Sequence, residues 1–387
     1  MGNETAHTLS GVQLEDDRCV QPARLTSLPS QFKHCVHCYH TVDAWSRDGR
    51  FMLYAGFDTL EQSSIVIRDT TTGEERTIAQ TRVADFHTSS GQRWALDDRA
   101  VLFKWTDEDG VMYPALVHLD QPGDAQPLTH LPGRSVRHII DHGPIAIAST
   151  NADAPASGRV ERINLETGEA ETLLEAEQAL EVLPDELRHP DGTWFFNHPM
   201  PNADESMYFC KLMRRAEGQT GFVAFYVFEP ATGAVRCFGD RISGHPVWAD
   251  DGQHIINIKS PRDGSDNRHL VLVNGKTGED RRIVDLPIEG PGHPDQSPDG
   301  RFIVTDAFVP NGDQSPIYLI DLQRHQAFEI ARVDHLFKGG RVYDAQRITR
   351  GQPHPVWSPC GTKILINHNH AGDHFGLVLL EDFLRNT

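Results

Sequence analysis

Apolar positions along the chain come in short runs, each bounded by a turn signal, and one phrase recurs: an aromatic or polar residue, a turn around Asp-Gly, then a β-rich run. AWSRDGRFMLYAGF, VWADDGQHIINIKS, DQSPDGRFIVTDAF and VWSPCGTKILINHN are the clear copies; RWALDDRAVLFKW, HIIDHGPIAIAS and PMPNADESMYFCKL are weaker ones. Each reads as a β-hairpin. The turns fall at Asp48, Asp97, Asp141, Asp204, Asp251, Asp299 and Cys360, in steps of 49, 44, 63, 47, 48 and 61 residues. Propeller blades repeat every ~40–50 residues, so the two long steps read as units with inserted loops. Most hairpins are followed by a second strand pair around a Thr-Gly or similar turn, as in VIRDTTTGEERTIA, ERINLETGEAETLL and YVFEPATGAVRCFG, which makes four strands per unit. The expected fold is all-β, a seven-bladed β-propeller. Its last unit stops at LVLLEDF without a fourth strand, while ARLTSL near the N-terminus looks like an orphan one. The ring should therefore close by pairing the two ends, with residues 1–23 as an extension and residues 24–387 as one propeller domain.

Composition agrees with this pattern. The 387 residues are 38% hydrophobic with 32 Gly and 24 Pro, frequent turns and short apolar runs. No apolar stretch approaches the ~20 residues of a membrane span, so no membrane partner is expected. The N-terminal MGNETAHTLSGVQLEDDRC has neither a basic start nor a hydrophobic stretch, which leads us to expect a soluble protein of the cytoplasm. Six cysteines without a paired framework are expected as free thiols. A net charge of −19 opposes attraction to nucleic-acid phosphates, so an anionic ligand would need a local positive site.

In a propeller the first strand of each blade lines the channel. Six residues before four of the turns stand His198, His245, His293 and His354, each followed by Pro. Such a phrase can serve the fold alone, the imidazole bonding backbone and the proline starting a strand. Against that, four histidines from distant parts of the chain meet on one axis, and imidazole is both a common metal ligand and a base suited to neutral pH. Gln352 and His354 are two apart on a strand and point the same way. With His293 they could coordinate a divalent cation, and nitrogen donors suit manganese, nickel or zinc better than calcium. HCVHCYH (His34 to His40) has half of a zinc-site spacing but no second pair; His40 is the better candidate there, as a channel-facing substrate contact. NHNHAGDH, with His370, falls in a loop of the last blade. Cations for an acidic ligand are offered by Lys211, Arg214 and Arg215 in the fourth blade and by Lys259, Arg262 and Arg268 in the fifth. No G-x-S-x-G elbow, phosphate-binding loop or dinucleotide fingerprint occurs.

GHPVWADDG, GHPDQSPDG, QPHPVWSPCG and SPRDGSDNR, in that setting, resemble the oligogalacturonate lyases, cytoplasmic seven-bladed propellers that cleave pectin fragments by β-elimination with manganese. The resemblance spans roughly residues 24–380. It implies that His245 is the base, that His293 and His354 bind metal, and that the substrate is an acidic oligosaccharide. The first histidine of the family's HPHP motif is Gln352 here, a glutamine before it is Thr349, and the family's glycine- and histidine-rich loop after the fourth-blade cysteine is replaced after Cys210.

The reaction so implied is abstraction of the C5 proton of a uronic acid by His245, followed by loss of the 4-linked sugar. Arg215 is expected to neutralise charge at the carboxylate, with His40, His198, Arg214 and Arg268 contacting substrate and Mn²⁺ held by His293, Gln352 and His354. A binding or scaffold propeller and a propeller glycoside hydrolase are the alternatives. The latter needs a facing carboxylate pair, and none stands out.

Overall fold

The computed structural model describes residues 12–13, 18–83, 85–150, 158–189, 191–239, 242, 244–259, 268–288, 292–307, 314–334, 352–370 and 374–386. Among them, seven four-stranded antiparallel sheets stand in sequence order. Blade one is His34–Val36, Phe51–Thr59, Gln62–Asp69 and Glu75–Thr81; blade two is Arg93–Ala95, Ala100–Thr106, Met112–His118 and Gln126–Pro127. Blade three is Arg134–Ile139, Ile145–Thr150, Arg159–Asn164 and Ala170–Glu175; blade four is Thr193–Pro201, Tyr208–Ala216, Gln219–Glu229 and Ala234–Gly239. Blade five is Val247–Trp248, His254–Lys259, Arg268–Asn274 and Asp280–Leu286; blade six is Asp295–Gln296, Phe302–Asp306, Gln314–Asp321 and Gln326–Asp334. Blade seven has Val356–Trp357, Ile364–His370 and His374–Glu381 from the C-terminal end, and its outer strand is Arg24–Leu28. The orphan strand of the sequence is thus the closing strand, paired from Arg24↔Glu381 to Leu28↔Leu377. Arg18–Val20 then pairs with Leu384–Asn386, and Val20 is buried against Phe302, Trp357 and Phe383. The long step between Asp141 and Asp204 holds the short helix Ala176–Glu181, which packs on blades three and four. Most of the insertion in the other long step lies outside the described residues. No helix among the described residues is long and apolar enough to cross a membrane.

The recurring phrase is a latch. In blade one the Ser46 hydroxyl donates to Asp48 (2.7 Å) and accepts from the Phe51 amide (2.9 Å); in blade six Ser297, Asp299 and Phe302 repeat this at 2.6 and 2.9 Å. Gly49, Gly252, Gly300 and Gly361 supply the left-handed turn position that this hairpin needs. Between blades, Trp94, Trp248 and Trp357 each donate an indole N–H to a main-chain carbonyl in the preceding blade, Ala44, Met200 and Asp295 respectively. The VW of the HPVW phrase is therefore a staple between neighbours. The apolar clusters are likewise shared by adjacent blades, as where Phe209, Phe225 and Val227 meet Trp248, Ile255 and Val271.

Blades two and three lack the Gly turn and pass through left-handed conformations at Asp97, Asp98, Asp141 and His142. Ionic contacts hold these turns. Arg47 of blade one bonds Asp97 and Asp141 at 3.1 and 3.0 Å, and His142 lies between Asp98 (2.6 Å) and Asp43 (2.9 Å). Burial alone would lower the His142 pKa, but the hydrogen bonds to Asp43 and Asp98 outweigh it and raise it to about 9. A histidine with a raised folded-state pKa stabilises most below its unfolded value of about 6.5, and that contribution fades as pH rises through the folded value. In thermal melts, His142→Gln should therefore lower the midpoint most below pH ~6.5, with the difference from wild type closing above about 9. A constant difference across that range would remove the protonated imidazole from the account.

Candidate active site

The HP phrases carry their histidines to the axis in two ways. His245 and His293 follow glycines, and at Gly292 a Cβ would run into the Thr305 hydroxyl and the Asp306 carbonyl, so only glycine lets the chain pass this close to its neighbour strand. His198 (φ 51°) and His354 (φ 46°) are themselves left-handed. Non-glycine residues rarely adopt this conformation, and surrounding structure must hold them there.

The imidazoles meet around a residue of the first blade. His245 stacks on His293 with centroids 4.1 Å apart, and His293 meets His354 edge-on at 4.4 Å. The Tyr39 ring lies among them, 4.5 Å from His40, 4.7 Å from His354, 5.5 Å from His87, 5.6 Å from His198 and 5.7 Å from His293. Asp306 orders one side of the cluster. It accepts the His293 amide (2.8 Å), His293 Nδ1–H (2.9 Å) and the His354 amide (3.3 Å). His40 Nδ1 bonds the Pro294 carbonyl at 2.9 Å, and His354 Nε2 bonds Gln352 Oε1 at 3.1 Å. The remaining nitrogens, His40 Nε2, His293 Nε2, His245 Nδ1 and His354 Nδ1, are buried without a hydrogen-bond partner, as is the Tyr39 hydroxyl. Burial is the main reason that His40, His198, His245 and His354 have pKa values well below 6.5, and neighbouring imidazoles or cations add to it. These four imidazoles are therefore neutral at neutral pH and present nitrogen lone pairs.

Of the residues expected at the site, the structure brings together His40, His198, His245, His293, Gln352 and His354. Among the described bonds and ring contacts of these histidines, none involves Arg214, and the described partners of Arg214 and Arg215 lie elsewhere. Arg214 donates to the Asp191 carbonyl (2.6 Å), and Arg215 donates to the Thr220 hydroxyl (3.3 Å) beside the Phe195 ring. Lys211 is the cation of that strand nearest the cluster, donating to the Gly244 carbonyl next to His245. Arg262, Thr349 and the His370 side chain lie outside the described residues. Cys35 and Cys38 are buried thiols pushed up by desolvation, Cys35 to about 12, and neither is a ready thiolate ligand.

Sequence reasoning missed Tyr39, His87, Asp306 and Arg137. Tyr39 stood inside a phrase read for its Cys and His spacing. His87 belongs to no HP phrase, and Asp306 becomes notable only when His293 is placed beside it.

No family model matches the sequence, and no curated protein does. Solved structures do match. An oligogalacturonate lyase in complex with manganese is 19% identical, with 98% of each chain covered and a TM-score of 0.69. An oligogalacturonate lyase from Vibrio parahaemolyticus is 16% identical over 97% of this chain and 98% of the other, with a TM-score of 0.66. The Myceliophteria thermophila Cps50 (Swd1) propeller domain is 10% identical over 94% and 99%, with a TM-score of 0.51. The chain has the seven-bladed propeller fold that the oligogalacturonate lyases have, and at these identities the likeness is one of fold.

Asp306 is the simplest residue to test in this arrangement. Asp306→Ala leaves the His293 amide, His293 Nδ1–H and the His354 amide without their acceptor. It should destabilise the fold by about 3 kcal/mol, read as a lower urea midpoint with an unchanged m-value.

Proposed function

We propose that the protein is a lyase that cleaves uronic-acid-containing oligosaccharides by β-elimination, with His245 as the base. The observation that carries this reading is the cluster itself. Buried imidazoles with unpartnered nitrogens are gathered on the axis of a fold shared with oligogalacturonate lyases. Buried nitrogens without a protein partner cost free energy in the folded state, and a ligand that engages them would offset that cost.

The donors on one side of the cluster suit a divalent cation. His293 has its Nδ1 held by a carboxylate and its Nε2 unpartnered, the arrangement that fixes metal-binding imidazoles. His354 Nε2 and Gln352 Oε1 are 3.1 Å apart, close to the ~3 Å edge of an octahedron with ligands at ~2.1 Å. No group of three or more His, Cys, Asp or Glu suited to a metal occurs among the described residues, and Gln352 Oε1 would be the third ligand beside His293 and His354. Two nitrogens and one oxygen fit manganese, the ion bound to the similar lyase structure. A bound cation there would lower the energy of negative charge developing beside His245.

In the reaction His245 accepts the C5 proton, the C–H electron pair forms the C4=C5 double bond, and the C4–O bond breaks. The leaving oxygen takes a proton. Tyr39 is the donor we assign: its hydroxyl lies buried among the imidazoles and has no other described partner.

Incubation with a panel of 4-linked oligouronides should give the ultraviolet absorbance of an unsaturated uronate, lost by a factor of ~10²–10⁴ in His245→Ala. Silence across the panel would overturn the lyase reading, and full activity after exhaustive chelation would remove the cation from it. Tyr39→Phe should slow release of a sugar by ~10²-fold yet barely slow a substrate whose 4-substituent is a phenol, which leaves without a proton. Equal slowing of both would exclude Tyr39 as the acid.

A further inference from the structure

Arg137 stands on the channel wall at a position that the repeat does not predict. In blade three the pairing of Arg134–Ile139 with Ile145–Thr150 runs through Val136↔Ala148 and resumes at His138↔Ile147. The ladder skips Arg137. A residue left out by such a bulge is re-aimed relative to its neighbours, and bulges of this kind gather beside active sites. Here the side chain faces a cavity whose other walls include His40, Thr41, His198 and His245.

Among the described residues no carboxylate forms an ion pair with Arg137, and its Nε is buried without an acceptor. Lys211, the second cation at the cluster, gives one N–H to the Gly244 carbonyl and also has no carboxylate partner among the described residues. Arg93, 8% exposed with its own Nε unpartnered, adds positive charge from the neighbouring blade. These cations lie inside a protein whose net charge is −19. Partly buried positive charge without a counter-charge is unfavourable, and a bound anion would offset that.

We propose that Arg137, supported by Lys211, recognises the substrate carboxylate, so that a uronate residue binds with its C6 carboxylate on the Arg137 guanidinium and its C5 beside His245. The ligand's identity rests on the lyase reading; the anion site does not. The planar fork of an arginine matches a carboxylate in two parallel hydrogen bonds. The cavity measures about 10 Å³, room for one water-sized group, so it admits a carboxylate oxygen and not a sugar ring. The arrangement selects uronates over neutral sugars, because a neutral hydroxymethyl group would leave the guanidinium uncompensated.

The test separates binding from turnover by using monomeric galacturonate, which lacks a 4-linked leaving group and cannot be eliminated. Calorimetry on the full-length protein should show galacturonate binding and galactose not binding, with Arg137→Met weakening galacturonate by ~10- to 100-fold. Arg137→Lys, which keeps the charge without the fork, should fall between. The unliganded thermal midpoint of Arg137→Met should be unchanged or higher; a lower one, with galacturonate affinity intact, would assign Arg137 to structure and overturn the proposal. Should Arg137→Met fail to fold, Arg137→Lys and Lys211→Met carry the same comparison. Inorganic sulfate or phosphate binding in place of galacturonate would also overturn it. Uronide turnover with galacturonate affinity indifferent to Arg137 sinks this site alone, whereas Arg137-dependent binding without turnover of any uronide sinks the lyase and leaves the site.

Discussion

Everything on the axis depends on one strand pairing, that of Arg24–Leu28 with His374–Glu381. It joins the ends of the chain into a ring and sets blade one beside blade seven. Cys35, Trp45 and Tyr54 then pack with Val356, Leu365, Leu377 and Leu379, and the His37 amide donates to the Asn367 side chain at 3.0 Å. Tyr39 and His40 enter the cluster from the first blade and His354 from the last. Without closure, the distance between Tyr39 and His354, 4.7 Å, would be set by nothing. Closure also removes two sheet edges that would otherwise seek partners elsewhere.

Within the ring the histidines are kept close by opposite demands. Their burial disfavours charge, and their proximity disfavours it further, since a proton on one imidazole raises the cost of a proton on the next. The neutral form relieves both, and its price is a set of lone pairs without donors. The ring N–H groups of His293, His40 and His354 are satisfied from within, by Asp306, the Pro294 carbonyl and Gln352 Oε1. What remains faces outward from the protein's own hydrogen bonding and is suited to a cation, to a substrate proton, or to both in turn.

The repeat was legible because its physics is local. A Ser-x-Asp-Gly latch needs only five or six neighbouring residues, and the Trp of HPVW needs only the blade before it, so both leave a mark in sequence. The histidines were legible for the same reason, since each repeats at a fixed offset from its latch. Arg137 was not, because a bulge is a mismatch between two strands and neither strand carries a signature of it. Tyr39 and Asp306 were hidden differently: their importance comes from what surrounds them, and those neighbours lie in other blades. Arg214 and Arg215 drew attention as a charged pair on the right strand, yet their described partners are Asp191 and Thr220, toward the strand's far end.

The placement of charge distinguishes a site for chemistry from a site for docking. A docking face on a propeller is read by rim residues that can be solvated when the partner is absent. Here the unpaired groups are inside: guanidinium nitrogen, imidazole nitrogens and a phenol hydroxyl, all screened from water and close to one another. Interactions of these groups with a developing charge are strengthened by the same low dielectric that makes them unfavourable when empty. A cation on one side of the proposed base and proton donors and acceptors around it would suit removal of a proton next to a carboxylate. The net charge of −19 acts in the opposite sense, repelling anions in general, so that on the proposed reading an acid entering this channel would be selected by the fork of Arg137 rather than by the field of the protein as a whole.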